Sequence, residues 1–495
     1  MKLKYKYGIL FFLAVLFNSC SDMLDVDLQG EYTNNTFYKT KEQVLFTLNA
    51  TYQICSFTST NNNLWVFGDV ASDDAVKGGN SGDLSDITYV NDFNVNSDNG
   101  QIESIWKHYY EGIVRANNVI YYVPNIKMDE KLKQRIIGEA KFLRAYFYFN
   151  LTNIFGKIPL KTSPINNVKD LSIPVSPIED IYNQIEQDLI DASTVLPTSY
   201  DATNIGRATR GAALGLLSKA YLFQKKWALA LENADSVEQL GYSLMPIYSQ
   251  NFRIPYQNNT ESIFEIQQLS GQSPALGSYL NQYFSPKPIG GYAFDAPTQN
   301  FVDEFEVTQD SVVDPRLNYT VGRKGEKWVN GENFDPSWSV TGYLNKKHVE
   351  PKAETPIIGD GNLDYVYMRF AEILLIKAEA LNELNRCAEA LIPLNKVRKR
   401  ARECYLYDTT LVGYNGAIPN KLLPDISNTD QSYLRSAIRH ERRVELGFEF
   451  HRFFDLMRYG KNVAEQALNN TNFNYEQHRY FPIPQSEIDS NNQIN

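Results

Sequence analysis

Residues 217–234, LSKAYLFQKKWALALENA, contain small and aromatic side chains at the spacing of two short helices joined by a tight turn. Ser218 takes a small position in the first helix, Tyr221 an aromatic position, and Ala230 the small position of the second helix. Across one turn, the side chains of Ser218 and Ala230 can meet, so that their bulkier neighbours interlock. The stretch therefore predicts a packed helix pair.

A second copy of this pattern occurs later in the chain. The stretch IKAEALNELNRCAEALIPL, residues 376–394, places Ala378 and Ala390 at the same separation as Ser218 and Ala230. One copy could be a chance helical hairpin, whereas two copies with equal spacing indicate a repeated unit. We therefore predict a mostly α-helical scaffold of tetratricopeptide-like (TPR-like) helix pairs.

Helical periodicity marks the chain in blocks. The predicted helical blocks are residues 101–123, 134–155, 209–240, 367–402 with a break near Pro393, and 439–460.

The segments between these blocks, chiefly residues 56–100 and 241–362, are rich in Asn, Ser, Gly, Pro and aromatic residues. They predict long loops that contain short strands, and such loops on a rigid scaffold often carry binding sites. No long Gly/Ser or Pro linker divides the chain. Residues 20–495 are therefore predicted to form one domain, with an N-terminal part to about residue 240 and a C-terminal part from about residue 241.

The composition excludes several classes of function. The 495 residues carry a formal net charge of −10, and an acidic surface repels phosphate backbones, so nucleic acid is not an expected partner. Only 5 His are present, which argues against a histidine-rich metal or acid–base centre. The 32 Tyr and 27 Phe provide many flat faces, and a tyrosine ring also offers a polar tip to an amphipathic ligand.

The N-terminus has the pattern of an export signal. Lys2, Lys4 and Lys6 precede GILFFLAVLF, an apolar run too short to span a bilayer, and the run ends at Ser19-Cys20. This resembles the lipobox of a bacterial lipoprotein. We predict that residues 1–19 are a signal peptide and that acylated Cys20 anchors the protein in the membrane. An ordinary signal peptide with an incidental cysteine is the alternative.

Three further cysteines, Cys55, Cys387 and Cys404, stand at irregular spacing without a CxxC motif. An odd number at such spacing is no disulfide framework or zinc site. Buried free thiols are expected, with a single disulfide as the alternative.

The stretch RHERRVELGFEFHRFFDLMRYG, residues 439–460, mixes arginine and glutamate with phenylalanine. On one continuous helix, an apolar stripe would contain Leu446, Phe450, Phe453 and Met457. Opposite charges three residues apart would form the pairs Arg442–Glu445, Glu449–Arg452 and Asp455–Arg458. No nucleophile or metal pattern accompanies them, so the stretch predicts a structural helix rather than an active site.

Several segments in this order resemble the SusD/RagB family of Bacteroidetes surface lipoproteins. The segments are CSDMLDVDLQGEYTNNTFYKTKEQVLFTLNATY (20–52), VASDDA (70–75), WKHYYEGIVRANNVI (106–120), GEAKFLRAYFYFNLTNIFGKIPL (138–160), the stretch 439–460 and YFPIPQSEID (480–489). The acidic residues 21–27 are like those of lipoproteins sent to the cell surface. Two family features are absent: a proline soon after the N-terminal Leu-Asp, and the usual Asn-Pro near the end, where Asn492 follows Asn491.

The resemblance implies a helical domain of about four TPR-like helix pairs wrapped by long loops. It also implies an outer-membrane, surface-facing position as a lid over a SusC-like TonB-dependent transporter, which would receive the captured nutrient. The best-known relatives bind glycans and others bind peptides, so an oligosaccharide is the expected ligand and a peptide the alternative. No individual ligand-binding residue is carried over, because the family's sugar contacts come from variable loops.

A sugar-binding site requires a flat aromatic ring for stacking and nearby polar side chains for hydrogen bonds. Residues 81–100 offer Tyr89 and Phe93 with Asn94, residues 281–294 offer Tyr283 and Tyr292, and residues 327–343 offer Trp328, Trp338 and Tyr343. Trp328 and Trp338 are the leading candidates, because a tryptophan in a Gly/Asn/Pro-rich segment is harder to explain as core. Packing is the competing explanation for every one of these rings.

Residues 92–103 also match part of a calcium loop, through Asp92, Asn94, Asn96, Asp98 and Glu103. Ser97 stands where such a loop has Gly, and no helix pattern enters it. The favoured alternative is a turn in which Asp98 caps the next helix, with Gln101 as its capping-box partner. Calcium therefore stays a weak alternative, and no other cofactor is expected.

The sequence favours a non-catalytic binding protein. A surface hydrolase is the first alternative, but no G-x-S-x-G or HExxH motif is present. A TPR scaffold that binds protein helices is the second alternative, and the long aromatic-rich loops argue against it.

Overall fold

The computed structural model describes residues 37–58, 62–273, 275–355 and 359–494, without the side chain of Val168. The predicted signal peptide and the lipidated Cys20 lie outside the described residues.

Helices dominate the described chain. The α-helices are α1 Lys41–Gln53, α2 Ser85–Asn91, α3 Gly100–Tyr122, α4 Glu130–Phe155, α5 Ile178–Val195, α6 Arg210–Phe223, α7 Trp227–Glu238, α8 Leu280–Phe284, α9 Gln299–Asp303, α10 Pro315–Thr320, α11 Phe370–Glu383, α12 Cys387–Tyr407, α13 Gln431–Leu446, α14 Arg452–Tyr459, α15 Lys461–Ala467, α16 Tyr475–His478 and α17 Gln485–Ser490. Shorter turns are a π-helix at Val66–Val70 and 3₁₀ helices at Val123–Asn125, Val168–Asp170, Tyr248–Phe252, Ile254–Tyr256, Lys287–Ile289 and Pro336–Trp338.

The strands are short and form two-stranded antiparallel ribbons. They are β1 Ala75–Gly78, β2 Ile158–Pro159, β3 Val175–Ser176, β4 Ser262–Ile266, β5 Phe294–Pro297, β6 Val321–Gly322, β7 Leu344–Asn345 and β8 Tyr365–Arg369. The ribbons pair β1 with β5, β2 with β3, β4 with β8, and β6 with β7. Most of these strands lie in the predicted loop regions, so the expected mostly helical fold with long, partly stranded loops is confirmed.

Side chains at the helix starts explain where the long helices begin. The side chains of Asn99, Asp129 and Thr209 accept hydrogen bonds from backbone N–H groups in the first turns of α3, α4 and α6. Such caps satisfy backbone donors that have no partner within the helix. The predicted cap Asp98 is therefore wrong by one residue, because Asn99 Oδ1 accepts from Gln101 N at 2.9 Å.

The two predicted helix pairs are confirmed as α6–α7 and α11–α12. Ser218 is fully buried at the contact, and its hydroxyl donates to Ala230 O at 2.7 Å. Ala378 and Ala390 are fully buried at the equivalent contact. Helices α3 to α7 pack in chain order, and α7 then packs on α11, so the repeats form a continuous scaffold.

The predicted break near Pro393 is wrong. Helix α11 ends before Leu384 and α12 starts at Cys387, so Pro393 lies inside α12. The turn is made by Asn385, whose φ is 61°, while Lys225 in the equivalent turn has a φ of 59°. A proline in the second turn of a helix disturbs few hydrogen bonds, whereas a left-handed residue ends the helix.

The prediction of one continuous helix over residues 439–460 is also wrong. Helix α13 ends at Leu446 and α14 begins at Arg452. Phe448 and Phe450 adopt φ values of 62° and 66°, a left-handed conformation that interrupts a helix. The backbone of Phe450 lies against Gly68 so closely that a Cβ at Gly68 would be 2.3 Å from the Phe450 carbonyl oxygen. The predicted stripe is therefore divided between two helices, although Leu446, Phe450 and Phe453 are all buried.

The ion pairs of this stretch are also distributed differently from the prediction. Only Asp455–Arg458 forms as expected, at 2.7 Å. The pairs present instead are Arg442 with Asp455 and Glu372, Glu445 with Arg316, Arg369 and Arg400, Glu449 with Arg369 and Lys347, and Arg452 with Asp73. The left-handed turn at Phe448 and Phe450 redirects the side chains, so partners come from distant segments.

The structural role of this stretch is supported by the burial of its charges. We call Glu445, Glu449, Arg316, Arg369 and Arg400 the ion cluster. Burial alone would raise the pKa of Glu449, but Arg369 and Lys347 outweigh burial and lower it to about 2. Burial is likewise outweighed at Glu445 by Arg400, Arg369 and Arg316, which hold its pKa below the ordinary value. Both carboxylates are therefore charged and already paired.

The three cysteines within the described residues, Cys55, Cys387 and Cys404, are buried and free. The expectation of buried free thiols is confirmed. Burial raises the pKa of Cys404 to about 11, which keeps it a neutral thiol.

Candidate functional site

Three half-buried tyrosines form a surface that we call the tyrosine face: Tyr279, Tyr283 and Tyr292. The ring centroid of Tyr283 lies 5.7 Å from that of Tyr279 and 6.2 Å from that of Tyr292. The structure therefore brings two of the sequence candidates, Tyr283 and Tyr292, together on one surface.

The local chain conformation explains how these rings meet. Tyr279 is the N-cap residue of α8 and Tyr283 lies four residues later, so both rings project from the same side of one helical turn. Gly290, with a φ of 97°, ends the following 3₁₀ turn and returns the chain toward α8. Tyr292 N then donates to Gln282 O at 2.9 Å.

The tyrosine face rests on a rigid aromatic stack. Tyr292 stacks on Phe294 with centroids 5.2 Å apart and an interplanar angle of 14°. Phe294 in turn stacks on Trp65 at 6.1 Å and 19°. Trp65 is only 1% exposed, so it fixes the inner end of the stack. A ring held in this way can bind a flat ligand without loss of its own conformational freedom.

The backbone beside this stack is strained. Ala293 and Asp295, on either side of Phe294, have φ values of 56° and 53°. Residues in this region cost on the order of 1–3 kcal/mol each and cluster at binding sites. Across the ribbon Gly79, with a φ of +66°, lies so close that a Cβ there would be 2.5 Å from the Phe294 ring. Glycine at position 79 therefore permits the close approach of β1 to the stack.

Polar groups border the tyrosine face. Lys77 Nζ donates to Asn80 O at 2.9 Å and lies 5.7 Å from the centroid of the Phe294 ring. Lys287, which is exposed, donates from Nζ to Asn80 Oδ1. Burial, with a contribution from neighbouring Tyr279 and Tyr292, raises the pKa of Tyr283 to about 12. The phenol is therefore neutral and can both donate and accept hydrogen bonds.

The prediction that Trp328 is a ligand platform is wrong. Its side chain is 3% exposed and packs against Phe334 and Trp338, with centroids 5.7 and 6.3 Å away. Gly322 also lies against it, since a Cβ there would be 2.6 Å from the indole ring. Trp328 therefore has no face for a ligand and acts as packing beneath half-buried Trp338, which stays a candidate.

The other predicted rings are divided among different environments. Tyr343 is half-buried, and its hydroxyl donates to Gln299 Oε1 at 2.6 Å. Tyr89 on α2 is 48% exposed. Phe93 is buried against Phe473 and Phe453, so its prediction as a ligand platform is wrong.

The residues of the weak calcium prediction are distributed over the segment between α2 and α3 and the first turn of α3. Asp92, Asn94, Asn96, Asp98 and Glu103 are all exposed. Within the described parts of the chain, no group of three or more His, Cys, Asp or Glu residues has a metal-binding arrangement. Asp92 instead accepts from Asn91 Nδ2 through its side chain and from Asn472 Nδ2 through its carbonyl.

Sequence reasoning missed Tyr279, Asn80 and Lys287. The four-residue spacing of Tyr279 and Tyr283 is a usable signal for two rings on one face. The contact between Lys287 and Asn80 joins residues more than 200 positions apart, so no local pattern could reveal it.

Half-buried rings with a polar border, on a segment outside the helical repeats, are typical of proteins that bind amphipathic ligands such as sugars. The profile of the SusD family matches residues 260–495, and a second profile, "Starch-binding associating with outer membrane", matches residues 24–222. The chain belongs to the SusD family.

Relatives match over nearly the whole chain. A SusD-like protein of Bacteroides ovatus is 26% identical over 517 residues, covering 98% of this chain and 88% of the relative. A laminarin-binding SusD-like protein of known structure is 28% identical, with a TM-score of 0.76 over 92% of this chain and 99% of its own. Surface glycan-binding protein A from Bacteroides fluxus is 25% identical, with a TM-score of 0.71 over 91% of this chain and 97% of its own.

Membrane association of this family is indicated by the description of the second profile. In the portion of the chain that the structure covers, every helix is too short or too polar to cross a bilayer.

Proposed function

We propose that this protein captures oligosaccharides at the cell surface without catalysis. The observation that carries the proposal is the tyrosine face, in which half-buried Tyr279, Tyr283 and Tyr292 rest on a buried aromatic stack. The C–H faces of a sugar ring stack on such rings, while its hydroxyl groups reach the polar border at Asn80 and Lys287.

The comparisons favour a glycan over a peptide as the ligand. This chain is 28% identical to the laminarin-binding relative, and the match covers 99% of that relative. β-Glucans are therefore the first class of ligand to test. A peptide would be expected to require an exposed strand edge or a deep apolar groove, whereas the tyrosine face offers rings with polar tips.

We further propose that Cys20 carries the lipid anchor in the outer membrane and that a SusC-like TonB-dependent transporter receives the ligand. This part rests on the lipobox-like N-terminus and on the likeness to the family. Release to a transporter requires only moderate affinity, which stacking and water-exchangeable hydrogen bonds provide.

The test is electrophoresis of the protein from residue 21 onward in native gels that contain individual plant, microbial and host glycans. We expect one glycan class to retard the protein. Tyr292→Ala should abolish the retardation, and Trp338→Ala tests the competing candidate from the other loop group. A peptide mixture is titrated in parallel by calorimetry. Heat with peptides and no retardation by any glycan would overturn the proposal.

A further inference from the structure

A cleft lies along strand β1, which also pairs with the strand that contains Phe294. It is a cleft of about 970 Å³, formed by β1, the start of α9, residues 91–92 and residues 463–472, with Arg443 and Arg452 in its lining. This volume is within the range of ligand-binding pockets. No sequence motif singled it out, because its walls come from distant segments.

The rim of this cleft, which we call the amide cleft, is rich in side-chain amides. Gln466, Asn469, Asn470 and Asn472 come from one segment of the lining, and Asn300 from another. Among the described residues, the side chains of Gln466, Asn469 and Asn470 make no hydrogen bond, and all three are exposed. An amide presents both donors and an acceptor, which suits the vicinal hydroxyl groups of a sugar.

The charges in the amide cleft are internally balanced. Arg452 donates to both carboxylate oxygens of Asp73, at 2.7 and 2.9 Å. Arg443 is bound by Asp74 at 2.7 Å and Glu304 at 2.8 Å. A ligand anion would have to compete with carboxylates already in place, so the cleft favours a neutral ligand.

The amide cleft and the tyrosine face meet along the β1–β5 ribbon. Ala75 and Val76 at the start of β1 line the cleft, while Gly78 at its end pairs with Phe294 of the aromatic stack. Gly78 stands three strand positions beyond Ala75, a distance of about 10 Å along the strand. A single sugar ring cannot cover both, but an oligosaccharide can.

We propose that the amide cleft is a second subsite for the same neutral oligosaccharide, which reaches it from the tyrosine face. This inference rests on the proposed function. No aromatic residue is among the described residues that line the cleft. Its hydrogen bonds with a ligand would replace bonds with water, so it contributes little alone. Once the rings hold one end of the glycan, the other end meets the cleft at high effective concentration.

Calorimetry with laminari-, cello- and malto-oligosaccharides, from the trisaccharide to the hexasaccharide, tests this subsite. The wild type is compared with the double variant Asn469→Ala/Asn470→Ala. Asn420→Ala, an exposed asparagine in the segment after α12, is the matched control. In whichever of the three series binds, we expect the hexasaccharide to bind the wild type about tenfold more tightly than the trisaccharide. The gain would come from about two added hydrogen bonds. The double variant should lose this gain and keep the trisaccharide affinity.

An affinity gain with length that is equal in the double variant and the wild type would overturn the subsite and leave the proposed function intact. Stronger binding of a uronic-acid oligosaccharide than of its neutral counterpart would also overturn it. If no oligosaccharide of any length binds the wild type, the proposed function itself fails and the subsite falls with it.

Discussion

The ion cluster and the tyrosine face differ in the kind of side chain they contain and in how deeply it is buried. Glu445 and Arg369 are completely buried, and each guanidinium and carboxylate already has partners inside the protein. Tyr283 and Tyr292 lie half-buried above Trp65, and one side of the group faces solvent. The conspicuous charged motif is therefore structural, whereas the binding surface that we propose lies on an inconspicuous loop.

On this proposal, the partial exposure of the side chains, rather than the residue type, distinguishes the candidate site from the ion cluster. The charged motif from Arg439 to Gly460 joins segments at residues 73–74, 316, 347, 369 and 400 to the C-terminal helices. Its charges hold the scaffold that fixes the loops in place. Changes in the two regions should therefore separate stability from binding.

The largest expected effect is on stability at the ion cluster. Glu445→Ala leaves Arg316, Arg369 and Arg400 buried with one partner fewer, and loss of one member of a buried pair costs about 3–5 kcal/mol. We expect this loss in the free energy of unfolding by urea. Glu389→Ala is the control, because its pair with Arg386 is exposed and should contribute little. Equal losses in the two variants would contradict the structural role.

A pH-dependent effect is expected at His440, which contacts Glu304 at 2.7 Å and Glu306 at 3.4 Å. Burial would lower the pKa of the imidazole, but the two carboxylates outweigh burial and raise it to about 9. Because the folded state binds this proton more tightly, the stabilisation is complete below the ordinary pKa of 6.5 and is lost as pH rises through about 9.

Thermal melting of the wild type and His440→Gln across this pH range measures the effect. The wild type should be more stable than His440→Gln at pH 6. This difference in stability should vanish as the pH rises through about 9. Lys346 and Lys347, whose burial lowers their pKa to about 8, act in the opposite direction but cancel in the difference. A difference that does not change with pH would contradict the charged His440.

A smaller effect is expected at the start of α3, next to the loop that carries β1. Asn99→Ala removes the cap and should lower the free energy of unfolding by about 1 kcal/mol. Asp98→Ala, at the neighbouring exposed position, should leave it unchanged. Denaturant unfolding of both variants measures the two losses. A larger loss of stability in Asp98→Ala than in Asn99→Ala would identify Asp98 as the cap.

The scaffold was more predictable from the sequence than the site. The spacing of Ser218 and Ala230, and its repeat at Ala378 and Ala390, predicts the helix pairs because helix packing imposes a local period. The break at Gly447 was missed because it depends on the close contact between Phe450 and Gly68, which are far apart in the chain.

Tyr283 and Tyr292 were predicted as site residues only because they are aromatic residues in a loop-like segment. The same argument selected Trp328, which is buried. A Gly/Asn/Pro-rich segment predicts a loop but not which ring of the loop faces solvent. That choice is made by packing in three dimensions. Trp65, which is distant in the chain, supports Tyr292 through Phe294, and Gly322 lies against Trp328. The sequence therefore predicts that aromatic residues of these loops form the site, but not which of them face solvent.

The most direct test of the central claim is calorimetric binding of the retarding glycan to wild type, Tyr292→Ala and Tyr292→Phe. Tyr292→Phe keeps the ring face, so its affinity should stay near that of the wild type. Tyr292→Ala should bind about tenfold or more weakly, from the loss of one stacking contact of about 1–2 kcal/mol, with unchanged thermal stability. Wild-type affinity in Tyr292→Ala, with a loss in Trp338→Ala instead, would contradict the tyrosine face as the binding surface.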